Sequence, residues 1–395
     1  IAGAGLAREA SLQGASVALF EKKYFGNGAS HASSKLIHGG IRYLETSWDC
    51  LHKGDFQGAR KNLRFVFTSL RECRRLEKIA PQLIHHIPIT IPVYRNAKRS
   101  VFTLYMGCLL YWLLGLLGGN SKFPRIHLGA KSVLKHFPSL NKEGLAGAIT
   151  IHERLTDDIE LVRKTLNSAS KHGAHLFENT QIIQWRYNSQ TKIYQVDALD
   201  AVRQIHTFQT RQIVNATGAW IDQVRDKNQH RNHLPLIEPI AGCHIHIRPF
   251  LKESMLLEAE DGRLFFCIHR GDHLRVGTTE VRCDKPDNVT ASEAEIQYLL
   301  KALNTYFPDE HFDESSILHQ DAGIRPLAMP KNTTSADRIS REHQLILDGD
   351  GLMNMVGVKL TDHRRAAEEC FDVLRKRLKK SGFHFKHMRS YKIKL

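Results

Sequence analysis

Residues 33–45 read Ser33-Ser34-Lys35-Leu36-Ile37-His38-Gly39-Gly40-Ile41-Arg42-Tyr43-Leu44-Glu45, a run that gathers two hydroxyls, two cations, an imidazole and a glycine pair. Glycines lack a Cβ and let backbone come close to a flat or charged ligand. Ser33, Ser34 and Lys35 offer donors to anionic oxygens, and the planar fork of Arg42 suits a phosphate or a carboxylate. A polar surface turn before a helix would look the same, so the flanking elements must decide between the two readings.

Those elements describe a nucleotide-binding unit. Ile1-Ala2-Gly3-Ala4-Gly5-Leu6-Ala7-Arg8-Glu9-Ala10 has the small-residue face of a helix packed close to a sheet, and Ala15 to Phe20 reads as a buried strand ending at Glu21. This is the second half of a dinucleotide βαβ unit, in which the acid at the end of the second strand binds ribose hydroxyls. The first strand and first two glycines of its turn are expected to be missing, with Gly3 as the third. Further on, Gln212 to Ala219 runs from a strand through Ala216-Thr217-Gly218 towards a helix, and Leu352 to Leu360 enters a Gly357-Val358-Lys359 turn before a helix to about Leu378. Either turn places a helix start at a ligand.

Phe56 to Ala80 predicts a basic amphipathic helix, and Ile87 to Tyr94, with its prolines, an edge strand or an extended segment. Ser100 to Ser121 carries no charge, and Val101 to Leu117 is long enough to span a bilayer. A span would place the two halves of the cofactor domain on opposite sides of a membrane, so the stretch reads as a buried helix or one dipping into a single leaflet. Residues 237–279 alternate as β-structure, and Ala291 to Phe307 reads as a helix.

Lys and Arg outnumber Asp and Glu by 56 to 41, a net charge of +15, so an anionic partner fits: a phosphate substrate or lipid head groups. Nine of the cations lie between Arg375 and Leu395 with no acid among them. No nucleic-acid-binding module accompanies the charge, so nucleic acid is not expected. The seven cysteines form no CxxC pair, which points to reduced thiols in a cytosolic setting. His244 and His246, two apart on a strand around Cys243, share a face; without a third ligand at a fitting spacing, no metal is expected.

Taken in order, Ser33 to Glu45, Ala216-Thr217-Gly218, Gly277-Thr278-Thr279, Gly323-Ile324-Arg325-Pro326-Leu327 and the Gly357/Lys359 turn give a chain that resembles the FAD-dependent glycerol-3-phosphate dehydrogenases that feed electrons to quinone. The resemblance implies an α/β fold: an FAD-binding Rossmann-like domain of the glutathione-reductase and D-amino-acid-oxidase kind, interleaved with a β-rich substrate domain. The FAD parts would be 1–80, 161–235 and 331–375. A substrate or membrane-proximal segment would be 81–160, the substrate sheet 236–330 and a basic tail 376–395, with the family's C-terminal helical domain absent.

It also implies roles. His244 matches the active-site histidine and would be the general base, with Arg325 beside it as the second catalytic residue. Arg42, Tyr43, Thr279, Arg341 and Lys359 would bind glycerol 3-phosphate. Gly3, Glu21, Ser33, Ser34, Lys35, Gly39, Gly40, Ile182, Gly218, Gly357, Leu360 and Thr361 would bind FAD. The expected partners are glycerol 3-phosphate, a quinone, a second copy of the chain and the cytoplasmic face of the inner membrane, with the cytoplasm as the other location. Two departures stand out: Val358 replaces a glycine near the flavin, and Asp362 replaces a hydroxyl residue near Lys359. An amino-acid or hydroxy-acid oxidoreductase on the same fold, and a degenerate flavoprotein without activity, remain open alternatives here.

Overall fold

The small residues at the start of the chain do form a helix, α1 (Ala2–Leu12), wedged between α6 (Asp158–Lys171) and α9 (His363–Lys379). The second of its two glycines serves close packing: a Cβ on Gly5 would lie 3.1 Å from the His363 carbonyl oxygen. The computed structural model describes residues 1–118, 122–227, 234–329, 342–379 and 382–395.

Strand β1 (Val17–Phe20) pairs in parallel with β6 (Ala174–Phe177), and β10 (Val214–Asn215) with β18 (Met353–Val356), which continues to β17 (Gln344–Leu347). These parallel pairs and the helices around α1 make the Rossmann-like half. A meander of β7 (Gln181–Asn188), β8 (Ile193–Leu199) and β9 (Ile205–Thr210) stands beside it.

The larger sheet runs β15 (Val281–Arg282), β11 (Ile237–Ile247), β14 (Leu274–Gly277), β13 (Leu264–His269), β12 (Ser254–Glu258), β3 (Ile84–Tyr94), β5 (Leu145–Thr156), β2 (Leu36–Ile37). β16 (Ile317–Ala328) also pairs with β11, and β4 (Arg125–Leu128) with β5. Strand β3 is therefore interior, not an edge as its prolines suggested. Its contact with β12 covers only Ile89 and Thr90, between Pro88 and Pro92, so a short pairing spares most of the positions that lack an N–H. One face of the sheet buries Cys243, Ile245, Ile247, Leu274 and Val276 against Leu299 and Leu303 of α8 (Glu293–Tyr306). That helix starts with a capping box between Ser292 and Glu295.

The uncharged stretch forms α4 (Val101–Gly118), and among the described residues no helix is long and apolar enough to cross a membrane. One side of α4 is anchored: Cys108 packs in the sheet, and the Tyr111 hydroxyl donates to Glu153 at 2.5 Å while accepting from the Gly39 N–H at 2.8 Å. The other side leaves Phe102, Met106, Leu110, Leu113 and Leu117 exposed. Gly39 is thus a packing glycine. A Cβ there would come within 2.5 Å of Leu70 Cγ in α3 (Phe56–Ile79) and 2.6 Å of the Tyr111 hydroxyl.

Gly39→Ala should therefore destabilise the chain by about 1–3 kcal/mol through overpacking, read as a lower midpoint in thermal unfolding; an unchanged midpoint would show that Leu70 and Tyr111 yield freely.

Candidate active site

A cavity of ≈ 1770 Å³ lies between the Rossmann-like half and the polar face of the large sheet. It exceeds the ~300–1,000 Å³ of ordinary small-molecule pockets, which suits an extended cofactor together with a substrate. Its wall includes Gly3 at the N-terminal turn of α1, Glu21 at the end of β1, Ser33, Ser34, Gly40, Ile182, Gly218, Gly357, Leu360 and Thr361. The positive φ values of Gly40 (77°), Gly218 (58°) and Gly357 (67°) are ones an L side chain rarely adopts, so at these turns backbone is presented to the cavity. An acid at a strand end, a helix N-terminus and three glycine turns form the donor and acceptor set that a dinucleotide cofactor requires.

Two residues expected beside the cofactor are not on this wall. Lys35 turns to an ion pair with Asp158, which is fully buried and also accepts from Ser33 Oγ at 2.7 Å. Asp158 thus ties both ends of the Ser33–Lys35 turn to the start of α6. Gly39 is the other, taken up by packing against Leu70 and Tyr111. Ile182 lines the cavity with its carbonyl accepting from Lys227 Nζ at 2.9 Å.

The wall also holds Arg42, Tyr43, His244, Arg325 and Lys359. Lys359 Nζ stands 5.1 Å from the ring centre of Tyr43 and 4.7 Å from that of Phe65, a cation–π cage. Arg325 donates from Nη1 to Glu280 at 3.1 Å and from Nη2 to Thr278 Oγ1 at 2.6 Å. Thr279, expected at the substrate, lies beneath the wall. Its hydroxyl donates to Glu295 and accepts from the Cys243 N–H at 2.8 Å, so it links β11 to α8. Arg341 lies outside the described residues. Asp362 adds no free charge near Lys359, because it accepts from His343 Nδ1 at 2.6 Å and Arg365 Nε at 2.7 Å. Val358 borders the cavity while packing on the core around α1 and α9.

His244 and His246 do share a face, as the alternation implied, and what they meet there is a charge pair. Arg275 donates to Asp321, with Nη2 2.7 Å from Oδ1; His246 Nε2 stands 2.7 Å from Oδ2 and 3.0 Å from Arg275 Nη1; and Nη2 lies 2.9 Å from His244 Nδ1. The glycine of the Gly277-Thr278-Thr279 run makes room for the ring, since a Cβ on Gly277 would approach His244 Cδ2 to 2.7 Å. His244 Nε2 is buried on the cavity wall with no hydrogen-bond partner among the described residues. Burial drops the His244 pKa to about 4, helped by Arg275 and Arg325 and resisted by Asp321. Burial alone would raise Asp321, but the His244 and His246 rings and the Arg275 guanidinium hold it well below the usual carboxylate range. Sequence reading missed Asp158, Arg275, Glu280 and Asp321; only the alternation of strand residues around His244 hinted at such neighbours.

The chain matches the FAD dependent oxidoreductase family over residues 1–359. It is 30% identical to an aerobic glycerol-3-phosphate dehydrogenase of Staphylococcus epidermidis, over 100% of this chain and 69% of that protein. A second, from Staphylococcus saprophyticus, is 31% identical over 96% of this chain; the chain spans 66% of its length. In structure it is similar to the glycerol-3-phosphate dehydrogenase of Bacillus halodurans complexed with FAD, with TM-score 0.73, 23% identity, and coverage of 96% of this chain and 63% of that one. The L-alpha-glycerophosphate oxidase of Mycoplasma pneumoniae superposes with TM-score 0.67 at 15% identity, over 99% of this chain and 95% of that one.

Burial also lowers His363 to about 4. Both His244 and His363 bind protons more readily unfolded, near the ordinary 6.5, than folded. Stability should therefore fall as pH drops from about 6.5 towards 4, by up to about 1.4 kcal/mol per pH unit for each. Thermal midpoints across this range should decline, less steeply in His363→Gln; a flat wild-type profile would contradict the burial argument.

Proposed function

Because the chain belongs to the FAD-dependent oxidoreductase family and takes FAD as its cofactor, we propose that it oxidises sn-glycerol 3-phosphate to dihydroxyacetone phosphate and passes the electrons to a quinone. The observation that carries this reading is that Arg42, Arg325 and Lys359 line the same cavity as His244. Three cations on one wall suit a dianionic phosphate better than the single charge of an amino-acid carboxylate. The names of the relatives agree with it.

FAD, when bound, supplies the two-electron acceptor. The residues of this chain do the rest. Gly3, Glu21, Ser33, Ser34 and the turns at Gly40, Gly218 and Gly357, with Ile182, Leu360 and Thr361, hold the cofactor along the cavity. Arg42 and Lys359 receive the phosphate, and Tyr43 walls the space between. His244 Nε2 meets the reacting oxygen, and Arg325, kept in place by Glu280 and Thr278, sets positive charge against it.

The FAD-loaded chain should show flavin absorbance bands that bleach on anaerobic addition of glycerol 3-phosphate. In Arg325→Ala the same bleaching should require far more substrate, with kcat/KM lowered about 30-fold or more, ~2 kcal/mol. Bands that persist with glycerol 3-phosphate and bleach with an amino acid would overturn the reading.

The reading extends to a membrane surface, where a quinone is found. The exposed face of α4 is apolar, and Lys98, Lys122 and Arg125 are exposed at its ends. Such a helix lies in the head-group region, with the cations against anionic lipid. The chain should float with anionic vesicles, and Leu113→Glu with Leu117→Glu should abolish flotation while leaving the flavin bands intact. Flotation unchanged in that pair would remove α4 as the contact.

A further inference from the structure

We propose that Arg275 is a positioning residue that holds His244 as the Nε2–H tautomer in the free enzyme, so that the ring meets the reacting oxygen as a hydrogen-bond donor. The inference deepens the functional reading and rests on His244 facing the substrate.

A guanidinium has five N–H donors and no acceptor. Arg275 Nη2 lies 2.9 Å from His244 Nδ1, so that nitrogen must offer its lone pair. A neutral imidazole carries a single N–H, which then sits on Nε2. The other tautomer would turn Nδ1–H against the guanidinium. The nearest acceptor for it, Asp321 Oδ1, is 3.5 Å away and already receives Arg275 Nη2 at 2.7 Å, while Oδ2 receives Arg275 Nη1. Nε2, by contrast, is buried on the cavity wall with no hydrogen-bond partner among the described residues, and it can donate to a ligand oxygen there.

The charged and titratable groups facing the ring come from three strands: Arg275 from β14, Asp321 and Arg325 from β16, and His246 from β11 itself. Two guanidiniums disfavour a cationic ring. The one carboxylate that would favour it is shared with Arg275 and His246. The free enzyme therefore does not present His244 as a ready base. Nε2 becomes an acceptor only if Arg275 releases Nδ1 and the ring's single proton moves to that nitrogen, which then donates towards Asp321.

The test is the ¹⁵N spectrum of the FAD-loaded chain labelled at histidine, with the His244 signals assigned by difference from His244→Gln. The wild type should show Nε2 protonated and Nδ1 bare, without titrating down to pH 5. Arg275→Met removes the competitor for Nδ1. Its Nδ1 should become protonated towards Asp321, the ring should take up its second proton at least one pH unit higher, and the acid limb of kcat/KM should move up with it. Arg275→Lys keeps a cationic donor and should restore the wild-type pattern. A protonated Nδ1 in the wild type, or an Arg275→Met spectrum identical to it, would overturn the proposal. Should Arg275→Met not fold, the wild-type and Arg275→Lys spectra decide. The spectra need no substrate: a chain that glycerol 3-phosphate fails to reduce loses the functional reading, whereas the tautomer is judged by the spectrum alone.

Discussion

The register of β16 on β11 is the constraint on which the active end of this molecule depends. His244 stands opposite Asp321, Gly242 opposite Gly323, and Ile240 opposite Arg325, so that the side chains of His244, Asp321 and Arg325 emerge on one face. A slip by one residue would turn Asp321 and Arg325 into the apolar layer against α8 and bring their neighbours out. The opposite face is filled by Cys243, Ile245 and Ile247, each without exposed surface, so a slip would also expose a core. The hydrophobic face and the polar face that carries His244 therefore enforce the same pairing. The two glycines on the polar face serve that pairing as well: a Cβ on Gly323 would lie 2.3 Å from Ala32 Cβ, and one on Gly242 the same distance from the Thr279 carbonyl oxygen. Close approach there lets the turn at Ser33 sit directly on the strand that carries Arg325.

How far such an arrangement can be read from sequence depends on the range of the interactions. Glu21 at a strand end, the glycine turns at 218 and 357, and the shared face of His244 and His246 follow from spacing of a few residues, and the fold places them accordingly. Arg275 and Asp321 were illegible because their meaning lies in cross-strand partners, 31 residues away in the case of Arg275 and His244. Alone, either is an ordinary charged strand residue. Thr279 shows the reverse failure. The Gly-Thr-Thr run drew attention to both hydroxyls, but just past the end of β14 their two side chains part. Thr278 holds Arg325 at the cavity, while Thr279 reaches down to Glu295. Lys35 and Gly39 were placed at the cofactor by the company they keep in sequence. Asp158 and Tyr111, each more than 70 residues downstream, claim them instead.

The electrostatics of the chain follow from the same distinction between local and long-range pairing. A net charge of +15 gives the surface a general attraction for anions, but the cations that matter in the cavity are each held by a specific device. Arg325 rests on Glu280 and Thr278, Lys359 on two aromatic faces, and Arg275 on Asp321. Fixing a cation before the ligand arrives means that little side-chain freedom is lost on binding. Where the sequence adds an acid close by, at Asp362, the fold directs it to His343 and Arg365. The positive end of the cavity is therefore not cancelled by that acid.

Helix α4 joins these themes, because its two faces answer to different constraints. The inner face is bound to the site: Tyr111 bridges the buried Glu153 carboxyl, which burial lifts to about 7, and the Gly39 backbone N–H in the motif that walls the cavity. Replacing Tyr111 would leave a buried N–H and a buried carboxyl without their partner, a cost of about 1–3 kcal/mol for each group. The outer face makes no such demand, since Phe102, Met106, Leu110, Leu113 and Leu117 support nothing beneath them. An apolar surface of that size costs solubility in water unless something covers it. The same eighteen-residue helix thus holds the Gly39 turn in place from within and carries an exposed apolar stripe outside, and only the inner role is required for the cavity to keep its shape.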